Sequence, residues 1–131
     1  MKLKIAMALC VVGTLVGTSA EAGYRYVTTL RVDPVARKVK GSLSDTRATA
    51  DSVQYIGCNV GVSVGSYSPS IYCVAQDANR VVGSCSTSEQ VFVQVLSMLQ
   101  PDSILSFEWN ANGTCTNISV ENFSSNTPKA P

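Results

Sequence analysis

Cysteines are the residues of this chain whose type and spacing best support chemistry. Cys58, Cys73, Cys85 and Cys115 follow a fifth, Cys10, which lies in an apolar N-terminal run. Thiols can pair as disulfides, hold a metal or act as nucleophiles. No Cys-x-x-Cys spacing occurs and the chain has no histidine, so a thiolate zinc site lacks its usual spacing and its usual second ligand. The missing imidazole also removes Ser-His-Asp and Cys-His nucleophile systems, and with them the commonest general base near neutral pH. Serine is abundant, but no Gly-x-Ser-x-Gly elbow is present. The expectation is two disulfides, no metal and no cofactor.

Paired carboxylates are the hydrolytic arrangement left open. Glu108 and Glu121 are the candidates, because a final hairpin would carry both. The aspartates fall mostly where such residues serve turns and caps. Asp77 and Asn79 share a turn, but two oxygens fall far short of the about six to eight that calcium takes. Exposed strand carboxylates usually form only a polar face, so the expectation is a non-enzymatic protein with no catalytic residues.

The first 22 residues explain the odd cysteine. Lys2 and Lys4 precede an apolar stretch from Ile5 to Val16, and Ala20-Glu21-Ala22 has the small-x-small form of a signal peptidase site. The run is shorter than the ~20 apolar residues needed to span a bilayer. A cleaved bacterial-type signal peptide, residues 1–22, is the reading, with no stable membrane insertion afterwards. Four cysteines then remain in an exported chain, secreted or periplasmic, where disulfides persist.

Charge excludes little else. Removing Lys2, Lys4 and Glu21 leaves eight basic and eight acidic residues. Arg25, Arg31, Arg37, Lys38, Lys40 and Arg47 crowd the start of the expected mature chain, but beyond Tyr24 and Tyr26 beside Arg25 no aromatics interleave with them. A nucleic-acid partner is not expected from this balance. Asn112, Asn117 and Asn122 begin glycosylation sequons, which read as by-products of Asn/Ser/Thr-rich strands in a bacterial chain.

The elements that must position these residues are mostly strands. Tyr26–Val32 is β-branched and aromatic and ends at Asp33-Pro34. Arg37–Leu43 suits an edge strand whose lysines discourage pairing with another chain. Residues 44–52 read as loop or a single helical turn. Val53–Gly65 places Ile56, Cys58, Val60, Val62 and Val64 on one face and three glycines on the other, which implies close packing against that backbone, or a bend. Strands at Ile71–Ala75 and Val81–Cys85 follow. One helix is expected over about Ser88–Leu99, capped by Ser86 or Thr87, with Val91, Val95 and Leu99, joined by Phe92, Leu96 and Met98, on its core stripe. Ser103–Asn110 and Thr114–Asn122 form a hairpin about Asn112-Gly113, with Leu105, Phe107 and Trp109 facing inward.

The fold class is therefore α+β. A small disulfide-braced antiparallel sheet of five to seven strands carries one helix on one face. Residues 23–123 make a single domain, and 124–131 a polar tail, disordered or laid along the surface. If Asp77–Arg80 turns, Cys73 and Cys85 face each other, which favours Cys73–Cys85 with Cys58–Cys115. Pairing Cys58 with Cys73 and Cys85 with Cys115 is the competing scheme.

Recognition falls to exposed aromatics. Tyr67 and Ser66, in the Gly65–Pro69 turn, and the strand residues Tyr55 and Tyr72 are the candidate contacts. They suit a binding module for a protein or glycan partner of unstated identity. The alternative is an inhibitor of an extracellular or periplasmic hydrolase, such as a lysozyme or protease, acting through the Ser66–Ser70 turn. Nothing in the sequence fixes the oligomeric state.

Overall fold

The structure, a computed structural model, describes residues 23–126. The signal peptide reading and residues 127–131 of the tail lie outside the described residues. Seven strands and two helices run in the order β1 (Arg31–Asp33), β2 (Lys38–Ser42), α1 (Leu43–Arg47), β3 (Tyr55–Gly61), β4 (Ser70–Gln76), β5 (Val82–Thr87), α2 (Gln90–Leu96), β6 (Ile104–Trp109) and β7 (Cys115–Glu121). This is a disulfide-braced, antiparallel α+β fold. Its strands are divided between two sheets, β1-β2-β6-β7 and β3-β4-β5. Alternation in the sequence assigns a face to each residue but names no neighbouring strand, which is why one sheet was expected.

The first sheet shows why these segments become strands. Val32, Val39, Phe107 and Ile118 stand in one row across four strands, and all are buried. The next row holds Asp33, Lys38, Glu108 and Asn117, on the opposite face. Side chains alternate faces along each strand, so one face packs and the other stays polar. Phe107, Leu105, Ile71 and Val39 are the largest fully buried apolar side chains; each contributes about 1.5–3 kcal/mol by leaving water. β2 is an internal strand between β1 and β6, not the expected edge. Its Lys40 pairs with Glu121.

The chain passes from the first sheet to the second through α1. Ser42 caps this single turn by accepting from the Asp45 amide. Asp45 then ties down the N-terminal segment: its carboxylate accepts from the Thr28 amide and pairs with Arg25. Backbone bonds reach this segment only singly, from the Ser42 amide to the Thr28 carbonyl and from the Tyr26 amide to the Ser125 carbonyl, so no ladder forms and the expected strand from Tyr26 shortens to begin at Arg31. Beyond α1, Asp51 accepts from the side chain and backbone of Gln54 and from the Val53 amide, which lowers its pKa from 3.8 to about 2.

The two sheets meet over a shared core. Trp109 belongs to it, with its ring 6.0 Å from that of Phe107. α2 packs against β7 and is shorter than expected. Its N-cap is Glu89, without a side-chain cap; Thr87 instead accepts from the Glu89 amide. Leu96 is buried and Phe92, Val93, Val95 and Leu99 pack beside it, while Val91 is exposed. The expected stripe therefore packs inward except at Val91 and Met98, which are exposed. The β6–β7 turn follows the expected chemistry: Gly113 has φ 77° and Asn110 accepts from the Asn112 and Thr114 amides.

The disulfides are Cys58–Cys73 and Cys85–Cys115, so the favoured pairing is corrected. Cys73 and Cys85 are indeed opposite each other, as expected, but Cys58 is opposite Cys73 as well. Cys73 stands in the middle of a row of three. Cys85 reaches across to Cys115 in the first sheet. The Sγ atoms of Cys73, Cys85 and Cys115 lie within 4.8 Å of one another, and every one of these sulfurs is already held in a disulfide.

The start of the expected tail is structured. The Asn126 side chain donates to the Glu121 carbonyl, its amide donates to Phe123, and the Ser125 carbonyl accepts from Tyr26. Asn126 is buried, whereas Ser124 is exposed, so the segment lies along the surface and is anchored at Asn126.

Candidate functional site

All four candidate contact residues lie on the β3–β4 hairpin and the loop joining its strands. Register places Tyr55 opposite Gln76, Gly57 opposite Val74 and Asn59 opposite Tyr72. β5 extends these rows with Val82, Ser84 and Ser86. Nine residues thus form a three-by-three grid on the face turned away from the core. Tyr55 and Tyr72 are 45% and 49% exposed, enough for each ring to offer a face while its stem stays packed. Four residues of strand, about 13 Å at the usual rise, separate their rows.

The middle row is low. Nothing lies within 4 Å of a Cβ built on Gly57, and Gly61 is equally open. The sequence implied an element packed close to these glycines, or a bend or bulge; none of the described residues packs against Gly57 or Gly61. Gly65, the third, has φ 84° and serves the loop. Open glycines in a strand interior leave room for a ligand or another backbone to approach.

The grid itself carries no charge. Between Asp51 and Asp77 the chain has no Asp, Glu, Lys or Arg, and β5 adds only Val82, Ser84 and Ser86 to the grid. The polar groups are neutral amides and hydroxyls. Past the Tyr72 row, the face runs into a shallow groove of about 600 Å³ lined by Ser66, Ser68, Ser70, Ser86, Ser88 and Thr114, with Glu89 as its one charged lining residue. Ser86 belongs to both. This hydroxyl cluster went unnoticed in the sequence because its members come from three separate segments. The charge-free run was the signal that could have located the face.

Tyr67 and Ser66 are in the loop beyond the sheet. Ser66 donates its hydroxyl to the Ser68 carbonyl and its amide to Ser63, which organises the turn. Tyr67 and Val64 are wholly exposed, at 102% and 108%. Tyr67 does not stack with Tyr55 or Tyr72.

Other sequence candidates are dispersed. Glu108 is opposite Asn117, whereas Glu121 is opposite Ile104 at the far end of the same pair of strands. About 13 Å of strand separates their rows, so the hairpin does not bring these carboxylates together. Arg31, Lys38 and Lys40 line a concavity of about 520 Å³ on the outer face of the first sheet, alongside Asp33 and Glu108. Acids and bases alternate there, so no basic patch forms. Both Asp77 oxygens accept from backbone amides: Asn79 and Val81 on one, Val32 on the other.

No family model matches the chain, and no curated protein or solved structure is significantly similar to it. No helix among the described residues is long and apolar enough to cross a membrane.

Proposed function

We propose that the protein is an exported, non-enzymatic binding module that recognises a glycan or protein partner on the outer face of its β3–β4 hairpin. One observation carries this reading: Tyr55 and Tyr72 stand half-exposed on a charge-free face whose middle row is open at Gly57. Aromatic rings pack against the apolar faces of sugars and anchor protein contacts. Neutral hydroxyls and amides suit an uncharged ligand, because charged groups would each lose hydration on contact. Export and oxidation account for the two disulfides. A glycan array and a pull-down from envelope and secreted fractions test the proposal. Retained ligand should be lost in Tyr55→Ala and Tyr72→Ala, whereas a ligand that both variants keep places recognition elsewhere.

A second reading, inhibition of an extracellular or periplasmic hydrolase, is favoured by the complete exposure of Val64 and Tyr67 on the β3–β4 loop. In that case Tyr67→Ala abolishes a stoichiometric complex with the target and the Tyr55 and Tyr72 variants do not.

A further inference from the structure

We infer that the free edge of β3 pairs antiparallel with β3 of a second copy of this chain, about a two-fold axis at Cys58.

The four sheet edges differ in how they are protected. β1 is three residues long and runs into Asp33 and Pro34. β7 has α2 packed against it, much as β3 has the short α1. β5 is joined to the β6–β7 turn, where Ser86 bridges Thr114 and donates its amide to Gly113. β3 has seven residues in unbroken register with β4, with no bulge, proline or charged residue. Edges are normally blunted by such devices, since unpaired amides and carbonyls template pairing with another chain.

The outward groups of β3 follow from its register. Cys58 and Cys73 have Cα atoms 4.0 Å apart, the close spacing of a non-hydrogen-bonded antiparallel pair. The amide and carbonyl of Cys58 therefore point away from β4, as do those of Ile56 and Val60. Among the described residues these groups make no other hydrogen bond, although α1 packs against β3.

The strand is self-complementary about its midpoint. With Cys58 opposite itself, Ile56 and Val60 exchange bonds with Val60 and Ile56 of the second copy, and every outward group is paired. On the core-side face Ile56 meets Val60, which is 39% exposed in the single chain. On the outer face Tyr55 meets Gly61 and Gly57 meets Asn59, large against small. No charge opposes the contact. The result is a six-stranded sheet and a continuous outer face. A pair of single strands is a small interface, so the dimer is reversible and weaker than standard-size complexes.

Sedimentation of the oxidised protein across a concentration series, with amide exchange at each concentration, tests this. The expected result is a monomer–dimer equilibrium in which the Ile56, Cys58 and Val60 amides gain protection as dimer forms. Val60→Lys, which sets a charge against Ile56 of the partner, should abolish both. A monomer persisting to about 1 mM overturns the inference. So does a dimer in which these three amides exchange as in the monomer, or an edge filled only by a different chain.

Discussion

The ring of Trp109 occupies the space that a side chain at Gly83 would need. A Cβ on Gly83 would lie 2.7 Å from Cη2 of Trp109 and 3.0 Å from methyls of Val32 and Val39. The first distance is shorter than a Cβ contact allows and the second is tight, so a side chain here must displace the Trp109 ring and the valine methyls. Gly83→Ala should therefore destabilise by about 1–3 kcal/mol. Trp109→Phe added to it should recover part of that loss in urea unfolding, although Trp109→Phe alone leaves a cavity. Two losses that simply add would mean the residues are not in conflict.

The attachment of the N-terminal segment depends on Asp45, which is 9% exposed. Asp45→Ala removes the acceptor of the Thr28 amide and the partner of Arg25. The buried amide left behind costs about 1–3 kcal/mol. Amide exchange should quicken from Thr28 towards the N-terminus while β6 and β7 keep their protection. Uniform loss across both sheets would show instead that Asp45 supports the whole fold.

The Asp51 turn should be sensitive to acid. Folding lowers this carboxyl from 3.8 to about 2, through the Gln54 side chain first and the Gln54 and Val53 amides next. A group whose pKa falls on folding stabilises the folded state fully above its unfolded value, and that stabilisation is lost as pH drops through the folded value. Residues 51–54 should thus open progressively between about pH 4 and pH 2. An NMR titration checks this, and Asp51→Asn should remove the transition. A carboxyl titrating near 3.8 would contradict the geometry of the turn.

The two disulfides should behave differently. Cys85 and Cys115 are each 3% exposed, whereas Cys58 is half-buried on an edge strand. Thiol exchange requires access to a sulfur, so limiting dithiol should open Cys58–Cys73 first, as read by alkylation and peptide mapping. Sequence separations are 15 and 30. Replacing each pair by alanine should cost roughly 3 and roughly 4 kcal/mol in the loop-entropy picture. Recovery of a Cys73–Cys85 peptide from the unreduced protein would overturn the connectivity.

Local pattern carried most of the strands. Leu105, Phe107 and Trp109 could be placed on the core face from alternation alone, and the Asn112-Gly113 turn from its dipeptide. What alternation could not supply was which strand lies beside which. β2 pairs with β6 across more than sixty positions of sequence, and no local signal encodes that choice. The same gap misdirected the cysteines: the row Cys58–Cys73–Cys85 offers two cross-strand neighbours to Cys73, and only the position of the other sheet selects between them. Tyr55 and Tyr72 were legible as candidates, but their shared face depends on the β3–β4 register. Helix boundaries failed at Ser88 because Thr87 serves the β5–α2 connection and leaves the helix uncapped.

Each covalent link encloses an exposed segment of the chain. The loop from Val62 to Ser68 is exposed throughout and falls between Cys58 and Cys73; the outer turn of α2 falls between Cys85 and Cys115. A protease that severs the backbone at either place adds one water to the mass and releases no fragment. At both places the chain thus has the topology of a closed ring, and a molecule nicked there stays whole until its sulfurs are reduced.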